Sequence, residues 1–213
     1  MNMRFVGQCR LCLNDAELRD SHFIPQAAYK RVRGQGANPH PIVIHGRKVI
    51  RTAAQTRAHL LCATCEQLFS TQGEDAFFRN CYSGLGLFRL LELLRRQMPL
   101  LEDDRFAVHS VPDDENGTLE QIGYMGVSVL WKSAAHSWKD RNGTLPSISL
   151  GSPYQEQVRQ YLLRESPFPE HGAMIVEVSD EHNRLIAVTG TPATSKWPTH
   201  YLHWTSAESG SIS

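Results

Sequence analysis

Apolar residues recur along this chain with two different periods, the two-residue alternation of a strand and the 3.6-residue spacing of a helix. Arg19 to Ile24 and Pro41 to Ile50 read as short strands, the second rich in Ile and Val with His45-Gly46 placed to turn it. Ala63 to about Phe78 fits a helix. After Gly84 and Gly86, a second helix is predicted over Leu87 to Met98, with Phe88, Leu90, Leu91 and Leu94 as its core stripe. An acidic stretch, Glu102 to Asp104, precedes a predicted strand over Phe106 to Val111, and Asp113 to Gly117 reads as a turn. Gly123 to Trp138 is apolar on nearly every side and reads as a buried helix, with Trp131 and Trp138 one heptad apart. Pro153 to Glu165 is predicted as a helix with Ser152 as its N-cap, Pro153 in the first turn, and Val158, Tyr161 and Leu162 as its stripe. Met174 to Val178, Leu185 to Thr189 and His200 to Trp204 complete the prediction as strands, with a hairpin turn over Asp180 to Asn183. The expected class is therefore α+β.

Five cysteines sharpen that picture. Cys9-x-x-Cys12 and Cys62-x-x-Cys65 are two pairs, each spaced to put both thiolates on one tetrahedral metal, and together they form a candidate four-cysteine zinc site. Leu60 and Leu61 before the second pair, and a helix after it, fit a treble clef, with one pair on a knuckle and the other at a helix N-terminus that favours thiolate. Cys81 has no paired partner and reads as a small buried side chain.

Charge changes the picture only when the chain is divided. The 22 basic and 22 acidic residues cancel, which excludes a strongly basic coating protein, while 41% hydrophobic residues exclude general disorder. Residues 1–82 carry 11 Lys/Arg against 6 Asp/Glu, and residues 83–213 carry 11 against 16, so +5 faces −5. The expected division is a zinc module over 1–82 and an α+β region over 83–213. Lys30, Arg31, Arg33, Arg47, Lys48, Arg51 and Arg57 cluster in the basic part, either as a phosphate-holding ribbon or as a solvated connection. No apolar run reaches the roughly 18–20 residues of a membrane span, and Met1 to Gln8 lacks a signal-peptide centre; a cytoplasmic protein is the expectation.

Between the cysteine pairs stands Asp20-Ser21-His22-Phe23-Ile24-Pro25. The order Cys9-x-x-Cys12, His22-x-x-Pro25, Leu61-Cys62-x-x-Cys65 resembles the zinc-stapled branch of the HNH endonucleases, the ββα-metal or His-Me finger enzymes, over about residues 9–75. That resemblance implies hydrolysis of nucleic-acid phosphodiesters, DNA being the first expectation, with His22 as the general base. An imidazole, which titrates near neutral pH, suits that task. Where the family often carries an aspartate ligand this chain has Ser21, and where it commonly carries a histidine ligand it has Glu66. The resemblance thus implies a catalytic Mg²⁺ or Mn²⁺ on Glu66, with Asp20, Ser21 or Glu74 in support. The family asparagine upstream of the second pair has no clear counterpart here, and Arg57 or His59 stands nearby. The plainer alternatives are that His22 packs the knuckle, Glu66 serves the helix dipole and Glu74 lies on the surface. The competing functional readings are a non-catalytic zinc module that binds nucleic acid or protein, and a bacterial defence or toxin effector docking a protein partner through residues 83–213. His40, His45, His200 and His203 are assigned no chemistry.

Overall fold

Three strands built from the two cysteine-bearing segments form the principal sheet. The computed structural model describes residues 4–31, 40, 42–45, 48–51, 54–81, 89–104, 106–109, 117–140, 143–145 and 148–170. β1 (Val6–Gln8) pairs antiparallel with β2 (Asp15–His22), Val6 facing Glu17 and Gln8 facing Asp15. α1 (Gln26–Arg31) follows, then a separate hairpin of β3 (Ile42–His45) and β4 (Lys48–Arg51) in the register Ile42 to Arg51. This hairpin matches the strand pair expected over 41–50. β5 (Arg57–Cys62) returns along the free edge of β2, giving the strand order β1-β2-β5. The expected strand over 19–24 is present only to His22, as the second half of a longer one that the hairpin with β1 extends backwards to Asp15.

The register of β2 with β5 carries an irregularity. Arg19 pairs with Leu61 and Asp20 with His59, which leaves Leu60 as an extra residue. This bulge lets consecutive residues, Leu60 and Leu61, both be buried, where a regular strand would send one of them to the other face. The displaced Leu61 N–H finds its acceptor in the Ser21 hydroxyl at 3.2 Å. Ser21 is itself 1% exposed.

A helical rod starts where β5 ends. α2 (Ala63–Phe69) runs into a π-helical stretch over Ser70–Glu74 and on into α3 (Asp75–Asn80), without leaving helical backbone angles. The helix expected over 63–78 is therefore present, and Gly73 neither ends it nor breaks it. Gly73 is instead the point of closest approach to a second helix. A Cβ at this position would lie 2.9 Å from the Met125 backbone nitrogen.

That second helix is α5 (Thr118–Ala135), which follows α4 (Arg89–Arg95) and the small β6–β7 hairpin (Leu101–Glu102 with Ala107–Val108). α4 is shorter than expected and buries only Leu90 of its predicted stripe; Phe88 lies outside the described residues. The acidic stretch proves to be the turn of the hairpin, where the Asp103 carboxylate accepts the Phe106 N–H at 2.9 Å. Most of the predicted 113–117 turn lies outside the described residues.

α5 begins five residues before its predicted start and ends at Ala135, so Trp138 is not on it. Trp138 folds back instead, and its indole N–H donates to the Lys132 carbonyl in the last turn of α5 at 2.7 Å. Trp131 and Trp138 thus share the core by different routes. β8 (Lys139–Asp140) and β9 (Gly143–Thr144) form a short ladder that the sequence pattern did not predict. α6 (Ser152–Leu162) buries Val158, Tyr161 and Leu162 as expected, but its N-cap is Gly151 at φ 74°, so Ser152 is the first helical residue. The strands and turn expected beyond residue 170 lie outside the described residues.

One apolar cluster joins these parts. Leu18, Leu61 and Phe69 from the N-terminal segment pack with Tyr124, Trp131 and Leu162 from α5 and α6, and the sulfur-bearing Cys9, Cys62 and Cys65 belong to the same cluster. Phe69 meets the edges of Tyr124 and Trp131 at centroid distances of 6.0 and 6.2 Å. Arg159 of α6 donates to the Leu11 carbonyl while holding Glu156 through a forked pair, which anchors α6 to the hairpin turn. No helix among the described residues is long and apolar enough to cross a membrane.

Gly73→Ala tests the close helix crossing. Helix propensity alone favours alanine by about 1 kcal/mol, whereas a backbone atom at 2.9 Å cannot rotate away. Urea unfolding is expected to show a net loss of about 1–3 kcal/mol, and a gain would mean that the two helices do not cross there.

Candidate metal centre

The first half of the centre is the turn joining β1 to β2. The Cys9 N–H donates to the Asn14 carbonyl and the Leu13 N–H to the Cys9 carbonyl, both at 2.9 Å, closing a tight knuckle. Leu13 adopts φ 62°, a left-handed conformation that a branched residue takes only when its surroundings hold it there. The Gln8 side chain donates to the Leu13 carbonyl at 3.0 Å and helps to do so. The second half is the junction of β5 and α2. Cys62 has extended backbone angles and caps the helix, and Cys65 lies in the first turn. Two backbone bonds lock the halves together, Cys62 N–H to Cys9 Sγ at 3.3 Å and Arg10 N–H to the Leu60 carbonyl at 3.1 Å.

All four sulfurs lie within 4.8 Å of one another, and Cys12 Sγ is 3.9 Å from Cys62 Sγ. A tetrahedron with Zn–S bonds of about 2.3 Å has edges of about 3.8 Å. A disulfide needs about 2.0 Å, and all five cysteines are free thiols. An all-sulfur set of this size and shape can hold a zinc ion. The crowding is also electrostatic. Cys9 is held well below the ordinary thiol range, chiefly by the hydrogen bond from Cys65, which is driven upward by the same contact. Burial pushes Cys12 up. A metal ion would reverse this preference for a single thiolate by drawing charge from all four sulfurs.

His22 lies at the far end of the β2–β5 pair from the sulfurs, opposite Arg57 in register. It is half-buried, with Nε2 2.7 Å from Gln55 Oε1 and its ring 6.3 Å from that of Tyr29. Since an amide oxygen only accepts, Nε2 carries the proton and Nδ1 the lone pair. Asp20 is exposed and paired with Arg57 at 2.8 Å. Ser21 turns inward to the bulge, its hydroxyl shared between Leu61 N–H and the Arg19 carbonyl. His59 stacks on Phe5 at 4.5 Å.

Glu74 lies elsewhere, beside the buried ammonium of Lys132, on which Glu66 also acts electrostatically. The Lys132 Nζ is 4.0 Å from Glu74 Oε1 and donates to the His22 carbonyl at 3.3 Å. Burial pushes the Glu74 carboxyl up against the pull of Lys132, and pushes the Lys132 ammonium down against the pull of Glu74 and Glu66. Glu66 Oε1 is buried without a hydrogen-bond partner. Among the described residues, only the four cysteines bring three or more ligand atoms together, so Asp20, His22, Glu66 and Glu74 do not form such a group. Of the predicted cations, Lys30 is exposed at the end of α1, Arg31 closes that helix, and Lys48 and Arg51 bound β4. Arg33 and Arg47 lie outside the described residues.

Sequence reasoning missed Lys132 and Gln55. Lys132 had a signal, as the one charge between Gln121 and Ala135. Gln55 had none, because strand pairing alone brings it to His22. No protein-family model matches the chain, and no curated protein or solved structure does either.

Metal analysis is expected to find one zinc per chain, lost together with cooperative unfolding in Cys62→Ser. In the zinc-loaded protein no thiol should react quickly with a disulfide reagent at pH 8. Burial pushes Cys81 up to about 12, so it stays protonated until the pH rises towards that value. Chelation should release four reactive thiols, and fast labelling of Cys81 before chelation would contradict its raised thiol pKa.

Proposed function

We propose that the chain is an HNH-type endonuclease in which His22 activates water for attack on a phosphodiester. The observation that carries this reading is the placement of His22. Its imidazole is fixed by Gln55 at one end of a strand pair whose other end leads, through the cysteine cluster, into a helix. Nδ1 accepts a proton from water as the hydroxide oxygen bonds to phosphorus. The leaving sugar oxygen takes up a proton from solvent, giving a phosphomonoester and an alcohol. Arg57, next to His22 across the strands and oriented by Asp20, opposes the charge that develops on the phosphate oxygens. Lys30, Arg31, Lys48 and Arg51, with Arg33 and Arg47, hold the backbone without reading sequence.

The family resemblance also implies Mg²⁺ or Mn²⁺ on Glu66, assisted by Asp20, Ser21 or Glu74. The donors do not fit that group as they are arranged. Asp20 is engaged by Arg57, Ser21 by the bulge and Glu74 by Lys132. No step is therefore routed through a second metal. The same engagement favours one other reading, a zinc module that binds nucleic acid without cutting it.

Purified protein incubated with plasmid DNA, and separately with RNA, distinguishes the two. His22→Ala is expected to lower the cleavage rate by about 10²–10⁴. Equal cleavage by the variant removes His22 as the base, and salt-sensitive binding without cleavage by the wild type establishes the binding module instead.

A further inference from the structure

Lys132 is 1% exposed in the last turn of α5, and its Nζ lies 5.2 Å above the Phe69 ring. An ammonium in such surroundings is costly unless opposite charge accompanies it. Here that charge is supplied by the helical rod. Glu74 Oε1 lies at 4.0 Å, and Glu66, two turns earlier, acts electrostatically on both Lys132 and Glu74. The remaining contact of Nζ is the His22 carbonyl at 3.3 Å. One ammonium thus links the Glu74 carboxylate of the rod to the end of β2, within the electrostatic reach of Glu66.

A divalent cation placed between Glu66 and Glu74 would satisfy the same carboxylates, through oxygens at about 2.1 Å for Mg²⁺. It would have to share that space with Lys132. Like charges so close repel strongly in a buried site, and displacing Lys132 would strand its ammonium against Phe69.

We propose that Lys132 is a positioning residue whose ammonium, beside Glu74 and in the field of Glu66, takes the place of a divalent cation and ties the strand end bearing His22 to α5. Where this concerns hydrolysis it rests on the endonuclease reading: cleavage then needs no Mg²⁺ or Mn²⁺ beyond the zinc centre.

The test begins with Mn²⁺ titrated into zinc-loaded full-length protein and followed by its electron paramagnetic resonance signal. Wild type and Lys132→Arg are expected to bind no stoichiometric Mn²⁺. Lys132→Met, which keeps the apolar stem and removes the charge, should bind one ion at least about tenfold more tightly than wild type, and adding Glu66→Gln should abolish that site. A stoichiometric site in the wild type that Glu66→Gln removes overturns the proposal, as does a folded Lys132→Met protein no tighter than wild type. If Lys132→Met does not fold, the wild-type and Lys132→Arg titrations decide. Cleavage assays separate this proposal from the reading beneath it. Wild-type cleavage in metal-free buffer, unchanged by Mg²⁺, is the expected result, and cleavage only with added Mg²⁺ overturns the proposal while leaving the endonuclease standing. Absence of cleavage in every buffer rejects the endonuclease alone, and the Mn²⁺ titration then judges Lys132 by itself.

Discussion

Antiparallel pairing of β2 with β5 is the constraint on which the other features depend, because it brings together segments about forty residues apart in the chain. Leu18 opposite Cys62 places the knuckle beside the start of α2, and His22 opposite Arg57 places the imidazole at the other end. The bulge at Leu60 lies between them. It turns both Leu60 and Leu61 into the core at the expense of one ladder hydrogen bond, which the Ser21 hydroxyl replaces. A serine at this position is thus explained by backbone satisfaction: an aspartate there would bring a buried charge beside Leu61.

A small zinc module has little apolar surface to bury, and a metal centre alone orders only the loops that carry it. In this chain α5 and α6 supply the missing core. Trp131 and Tyr124 close over Phe69, α5 approaches the rod at Gly73 closely enough that no side chain fits there, and Arg159 reaches the knuckle at Leu11. The π-helical stretch over Ser70–Glu74 occurs at this crossing, and it also sets the phase of Glu74 relative to Glu66. Packing and electrostatics are therefore coupled at one place, where the helix that completes the core also delivers Lys132.

Charges in the protein fall into two classes with different consequences. The Arg57–Asp20 pair is half exposed on both sides, so it is weak, screened by salt and free to exchange its partner for a phosphate. The Lys132 group is buried, and breaking it leaves uncompensated charge in a dry site. The first kind adds little to stability, and the second makes the loss of either partner costly. The formal neutrality of the whole chain conceals this, since the positive excess of residues 1–82 is cancelled by the acidic remainder.

Spacing in the sequence was enough to identify the four cysteines as one set, because a tetrahedral ion constrains its ligands locally and two close pairs are a local property. Periodicity was likewise enough for the rod from 63 to about 78 and for the buried face of α6, where burial follows from neighbours three and four residues apart. What tertiary structure alone decided is which polar groups face which. Asp20 and His22 stand two residues apart on one strand, yet Asp20 pairs with Arg57 and His22 with Gln55. Glu66 and Glu74 looked like a metal pair, yet Glu74 met an ammonium from 58 positions later in the chain, on which Glu66 acts only electrostatically. Hydrogen bonds and ion pairs act over a few ångströms of space regardless of separation along the chain. Their partners are therefore set by how strands register and helices cross, and no local pattern encodes that.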